Sequence, residues 1–104
     1  MAEVIWTVPA LDRLNVIADY IARDNADAAN RLVSGVFGRV DLLERFPAMG
    51  RSVPEMRGSE YREIVVRPCR VIYRIEGGTV RIITVIRGEQ NLTAEDVIKA
   101  DLNF

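Results

Sequence analysis

The stretch 61–90, YREIVVRPCRVIYRIEGGTVRIITVIRGEQ, decides the fold. Apolar and polar residues alternate along it with a period of two, as in half-buried β-strands. Gly77-Gly78, between two such runs, predicts a two-residue hairpin turn. The turn sets Glu76 opposite Thr79, Ile75 opposite Val80, Arg74 opposite Arg81, Tyr73 opposite Ile82 and Ile72 opposite Ile83. One sheet face then carries Val71, Tyr73, Ile75, Val80, Ile82 and Thr84. The other carries Arg70, Ile72, Arg74, Arg81, Ile83, Val85 and Arg87. If Pro68-Cys69 is a second two-residue turn, Glu63 lies beside Arg74 and Arg67 beside Arg70. The outer face would then hold a charged row Glu63–Arg74–Arg81, an apolar row Val65–Ile72–Ile83 and a basic edge of Arg67, Arg70 and Arg87.

Arginine is permanently charged, planar and bidentate, so this clustering suggests a surface for anions. Two readings follow. Glu63 can offset the facing arginines in a solvated ion-pair ladder of little energetic weight. Alternatively, the basic edge and apolar row dock an acidic, partly apolar peptide or protein, which the apolar stripe favours.

Working outward, strands are predicted at Tyr61–Arg67, Arg70–Glu76 and Thr79–Arg87, with a short first strand at Val4–Thr7. Thr7-Val8-Pro9 marks a helix start. Leu11, Leu14, Ile17, Ala18 and Ile21 give that helix one apolar face through about Arg23. Asn25 or Asp27 caps a longer helix, in which Ala29, Leu32, Val33, Val36, Phe37 and Val40 keep the 3.6-residue period to Phe46, where Pro47 ends it. Gly35 and Gly38 inside it would allow close approach of the first helix. Pro47 to Gly58 is a loop. Thr93-Ala94-Glu95-Asp96 has the form of a capping box, with Val97, Ile98 and Leu102 as the apolar face of a short last helix. The predicted class is α+β: an N-terminal strand, an antiparallel α-helical hairpin packed on a small, mainly antiparallel β-sheet, and a short C-terminal helix, in one domain spanning 1–104.

The chain carries a net charge of −1, too little for a polycation that coats nucleic acid. The charge is uneven, however. Residues 50–90 hold eight arginines and five acids, a local +3, whereas residues 1–49 hold five arginines against seven acids. The single cysteine, Cys69, cannot form an internal disulfide and fits a reducing cytosol. Neither a signal peptide nor a membrane span is expected, so the protein is expected in the cytoplasm. With no histidine, His-based triads and His-ligated metals are excluded. No cofactor is expected. Any enzymatic chemistry would fall to arginine, tyrosine and glutamate.

Trp6-Thr7, Ala10, Tyr20-Ile21, Asn25 with Ala28-Ala29, Phe46-Pro47, Gly50-Arg51, Tyr61-Arg62-Glu63 and Arg70-Val71-Ile72-Tyr73-Arg74-Ile75 follow one another in an order that resembles the RelE/ParE superfamily of type II toxin–antitoxin toxins. The resemblance covers nearly the whole chain and is strongest to ParE-like, plasmid-stabilisation members. It implies the same fold, and a cognate antitoxin (ParD- or RelB-like) bound in a hetero-oligomer. RelE-like members cut messenger RNA on the ribosome; Arg62 and Arg70 fall at two places of their basic groups, and a ribonuclease of this sequence would use Arg62, Arg70 and Arg87, with Tyr61 or Glu89 as further candidates. After the last strand, Ile86-Arg87-Gly88-Glu89-Gln90-Asn91 departs from the RelE-like pattern of histidine or arginine followed by more basic residues. The resemblance therefore favours a ParE-like inhibitor of DNA gyrase acting by protein contact, with no catalytic residue assigned. Its partner-binding residues would be Arg67, Arg70, Ile72, Arg74, Arg81, Ile83 and Arg87. The alternatives are a ribosome-dependent endoribonuclease, or an inactive toxin retained to bind the antitoxin.

Overall fold

The chain enters the sheet as strand β1 (Glu3–Trp6), and Thr7 turns it directly into helix α1 (Val8–Ala22). The Thr7 hydroxyl accepts from Ala10 N at 3.3 Å and donates to Ile82 O at 2.7 Å, so one buried side chain caps the helix and ties it to the sheet. Asn25, whose side chain accepts from Ala28 N, caps helix α2 (Ala26–Asp41); a 3-10 turn at Leu42–Glu44 carries it toward Pro47. Strands β2 (Arg51–Ser52), β3 (Arg62–Val66), β4 (Cys69–Glu76) and β5 (Thr79–Arg87) follow, then helix α3 (Ala94–Leu102). These elements come from a computed structural model that describes residues 1–88 and 90–102. The sheet order is β1-β5-β4-β3-β2, with β1 parallel to β5 and the remaining pairs antiparallel. Among the described residues, no helix is long and apolar enough to cross a membrane.

The helical hairpin lies on one sheet face. Leu14, Ile17, Leu32, Val36 and Val40 pack there against Ile64, Val71, Tyr73, Val80, Ile82 and Val85. Gly35 does not serve α1, as the sequence suggested: a Cβ there would approach Val66 of β3 at 3.5 Å. Gly38 faces open space within 4 Å.

The β4–β5 register runs as the glycine turn dictates from Glu76↔Thr79 to Tyr73↔Ile82. There it slips, and Ile72 pairs with Thr84 instead of Ile83. β5 thus carries one extra residue, a bulge after which each side chain faces opposite to the simple alternation. Val85 joins the core under the helices, while Ile86 packs with Ile72 and Ile83 in a second core. The β3–β4 turn is also displaced by one. It is Arg67-Pro68, joined by a cis peptide bond, and it sets Glu63 opposite Ile72 and Val65 opposite Arg70.

The second core overturns the exposed apolar row. Ile72 and Ile83 are fully buried, covered by Val53, Met56, Leu92 and Val97. Of the predicted α3 face only Val97 is buried; Ile98 and Leu102 are 47% and 76% exposed, and the half-buried Ala100 packs in their place. Asp101 fastens α3 to the sheet. Its Oδ2 accepts from the Tyr61 hydroxyl at 2.7 Å and from Arg74 Nε at 2.8 Å.

At the other end of the sheet, Tyr73 reaches under the loop after α2. Its hydroxyl donates to Pro47 O at 2.7 Å and accepts from Gly50 N at 2.9 Å. Burial pushes its ionisation up from the usual tyrosine range. A Cβ at Gly50 would lie 2.6 Å from this hydroxyl and 2.7 Å from Glu63 O, so only glycine fits.

Two predictions concern stability. Tyr73→Phe strands the buried Gly50 N–H and the part-buried Pro47 carbonyl and is expected to cost about 1–3 kcal/mol in urea unfolding. Gly50→Ala should cost about as much or more. The double variant should lose less than the sum, because both disturb one contact. The second concerns Tyr61, whose pKa is pushed up to about 12, first by burial and then by its hydrogen bond to Asp101. A raised pKa means its stabilisation is complete below the unfolded value of about 10 and is lost as pH rises through the folded value. Wild-type unfolding free energy should therefore fall by about 1–2 kcal/mol more than that of Tyr61→Phe between pH 10 and 12. Parallel curves for the two proteins would contradict the buried hydrogen bond.

Candidate functional site

Register and bulge divide the arginines of β3, β4 and β5 between the two sheet faces. Arg70 and Arg74 stand on the α3 face, since they flank Ile72 on β4, and Arg81 joins them opposite Arg74. Arg62 pairs with the core residue Tyr73 and so stands on the helical face, where its Nη1 donates to Gly50 O at 2.9 Å and to Ala48 O at 3.3 Å. Arg87 pairs with buried Cys69 and lies with its guanidinium carbon 4.6 Å from the ring centroid of Tyr20 on α1. The expected basic edge of Arg67, Arg70 and Arg87 therefore does not form, because the bulge moves Arg87 to the other side. Arg62, Arg70 and Arg87 do not converge on one surface either: Arg62 and Arg87 stand on the helical face and Arg70 on the other. Glu89 lies outside the described residues.

Arg70 is enclosed by acids. Its Nε donates to Glu63 Oε1 at 2.9 Å, and its Nη1 and Nη2 grip both oxygens of Glu55 at 2.9 and 2.7 Å. The other Glu63 oxygen accepts from Arg51 Nε at 2.7 Å. The Glu63 side chain is fully buried, a position a carboxylate keeps only when paired on both sides. Arg51, Glu63, Arg70 and Glu55 form an alternating ribbon whose formal charges cancel. The bidentate grip of Glu55 holds the Arg70 guanidinium above its ordinary pKa, and the same bond draws Glu55 below the usual carboxylate value. Arg74 is likewise raised, first by Asp101 and further by Glu76 at 2.7 Å.

Sequence reading placed Glu63 near the arginines but one row away, and it missed Glu55 and Asp101. Glu55 belongs to a single 3-10 turn, Pro54–Met56, in the loop after β2, and Asp101 to a helix 27 residues beyond Arg74. Neither carried a local signal, since only the folded chain brings them to β4.

What stays open is the end of the sheet at the Arg67-Pro68 turn. On the helical side a groove of about 450 Å³ is lined by Ile21, Ala28, Arg31, Leu32, Val66, Arg67 and Pro68. On the opposite side one of about 430 Å³ is lined by Arg51, Val65, Arg67, Pro68, Cys69, Arg70 and Gly88. Arg31, Arg51 and Arg67 are exposed there. A third groove, of about 470 Å³, lies between the start of α1 and α3 and mixes Asp12, Asp96, Arg13 and Lys99 with Ile86 and Leu92.

This architecture has known counterparts. The chain is 40% identical over 90 residues to the Sinorhizobium fredii protein Y4kP, covering 85% of this chain and 90% of that one. It is 36% identical over 86 residues to toxin RelE2 of Caulobacter vibrioides, covering 82% and 93%. Among solved structures, a chain of the chromosomal ParDE toxin–antitoxin system from P. aeruginosa superposes with a TM-score of 0.69 at 22% identity, over 84% of this chain and 96% of that chain. The family model described as the ParE toxin of the type II toxin–antitoxin system, parDE, matches residues 4–92. The strand, helical hairpin and sheet thus lie within a family match over residues 4–92, and the chain belongs to the ParE toxin family of type II toxin–antitoxin systems.

Proposed function

We propose that this toxin acts in the cytoplasm by binding DNA gyrase and blocking it through protein contact, and that a cognate antitoxin neutralises it. The observation that carries the gyrase reading is the state of Arg70. A ribonuclease would need that guanidinium free to hold a phosphate and stabilise its developing charge. Here two carboxylates occupy its donors. Arg62 is committed to loop carbonyls on the other face of the sheet, and Arg87 to a tyrosine of α1. An arrangement that spends its arginines internally favours a protein that works as a shaped surface.

The ribonuclease reading keeps one point in its favour. The groove beside Val65 brings Arg51 and Arg67 next to Arg70, and a relative is named RelE2. On that reading Glu55 would have to give way when RNA arrives.

Two measurements separate the readings. Purified toxin is expected to inhibit gyrase supercoiling and leave ribosome-bound messenger intact; cleavage of messenger with gyrase unaffected reverses the assignment. Arg70→Ala should lower the unfolding free energy by about 3–5 kcal/mol, because it leaves Glu63 buried with one partner fewer. Inhibition of gyrase per folded molecule should stay within about threefold of wild type, whereas a ribonuclease would lose about a hundredfold or more in turnover with this cation.

A further inference from the structure

The bulge in β5 turns Thr84 onto the α3 face, opposite Ile72. Without the extra residue Thr84 would stand with Ile82 under the helical hairpin. Bulges commonly re-aim a side chain beside a site of binding or chemistry. Thr84 is only 8% accessible, and its hydroxyl has no hydrogen-bond partner among the described residues. A buried hydroxyl left without a partner opposes folding, unless something entering from outside bonds it.

Thr84 lines the groove of about 470 Å³ between the start of α1 and α3. That volume falls within the range of small-molecule sites, roughly 300–1,000 Å³. Beside Thr84 the floor is apolar, made by Ile86, Leu92 and Ala100. The rim is charged from both sides, with Asp12 and Arg13 on α1 and Asp96 and Lys99 on α3. Arg13 donates to Gln90 Oε1 at 3.3 Å. Asp12, Asp96 and Lys99 make no ion pair or side-chain hydrogen bond among the described residues. Arg70 and Arg74, on the same sheet face, each hold two acids. The chain thus pairs its charges over the second core and leaves them unpaired around this groove.

We propose that the groove binds a small zwitterion of the amino-acid class, an apolar or aromatic body that bears both an ammonium and a carboxylate. The carboxylate meets Arg13 and Lys99, and the ammonium meets Asp12 and Asp96. The body covers Ile86 and Leu92, and a polar group on it reaches the Thr84 hydroxyl. Both ligand charges are needed. A simple anion brings its charge up to two carboxylates, and a simple cation brings its own up to an arginine and a lysine. A neutral apolar ligand draws water from all four rim charges and replaces none of it. Gyrase inhibition and this binding can each stand without the other.

The test follows the methyl resonances of Ile86, Leu92 and Ala100 by NMR while the whole chain is titrated with four probes. L-Tryptophan carries both charges, N-acetyltryptophan only the carboxylate, tryptamine only the ammonium, and N-acetyltryptophanamide neither. L-Tryptophan is expected to shift these methyls saturably, with a dissociation constant on the order of 1 mM. The three analogues should bind about tenfold more weakly or worse. Thr84→Val should lose about tenfold in tryptophan affinity, because a site that bonds a polar group discriminates sharply once the bond is gone. It should unfold at the same urea concentration as wild type or higher, since the hydroxyl holds nothing within the fold. Asp12→Asn and Lys99→Gln, both at exposed positions, should each weaken binding as well. No saturable shift, or equal binding of all four probes, overturns the proposal. Full tryptophan affinity in Thr84→Val and in Lys99→Gln does so too. A protein partner that covers these methyls in a chain insensitive to tryptophan also overturns it, and makes the groove a docking surface.

Discussion

Between Tyr73 and Ile72, β5 passes one more residue than β4 does, and the composition of both sheet faces follows from that slip. In a regular hairpin Thr84 and Ile82 would share the helical face, and Val85 and Arg87 would join Ile72 on the other. With Ile83 added, Val85 enters the core under α1 and α2, and Ile86 turns to meet α3. The slip is anchored from the opposite side. Thr7 donates its backbone N–H and its hydroxyl to Ile82 O, just before the extra residue. The element that starts α1 therefore also holds the point at which β5 changes face. A bulge there adds local twist and bends the strand, which suits a sheet covered by helices on both faces.

The covering of the second core creates the electrostatic problem that the rest of the chain solves. Arg70 and Arg74 stay on the face that α3 and the loop at Val53–Met56 cover, so their charges are drawn out of water. Removing a guanidinium from solvent is tolerable only where carboxylates replace the lost hydration. Glu55 and Glu63 do this for Arg70, and Asp101 and Glu76 do it for Arg74. Each acid on a covering element thereby becomes a fastening: Glu55 ties down the loop, Asp101 ties down α3. The arginines that looked like a docking face from sequence hold the lid on a second core.

Local rules recovered the architecture because its elements announce themselves locally. The Thr7 and Asn25 caps, the 3.6-residue stripes of α1 and α2 and the Gly77-Gly78 turn each act over a few residues, and the structure carries all of them. The face assignments failed on β5 from Thr84 onward because period two propagates any single insertion to every later residue. Nothing in Ile82-Ile83-Thr84, a run in which each residue suits a strand, marks which one is extra. The burial of Ile72 and Ile83 was hidden for a related reason. Their covering residues, Leu92 and Val97, have a weak apolar pattern that gives no hint of what they face. Arg62 shows the reverse. Its position in sequence suggested a basic site of the RelE-like kind, yet its hydrogen bonds to Gly50 O and Ala48 O give it a fold-building use.

Once the internal pairs are set aside, the basic character that remains is differently placed. Arg31 comes from α2 and Arg67 from the β3–β4 turn, and the packing of hairpin against sheet brings them to one end, next to the outer side of Arg51, whose charge is shared with Glu63. They surround the stretch of sheet edge that β2, only two residues long, leaves bare. Bare edges invite pairing, and exposed like charges beside them restrict which chains can approach. On this argument the surplus of arginine in residues 50–90 has two fates. Arginines whose register turns them under α3 build the second core, and those left at the turn and the edge keep that edge from pairing indiscriminately.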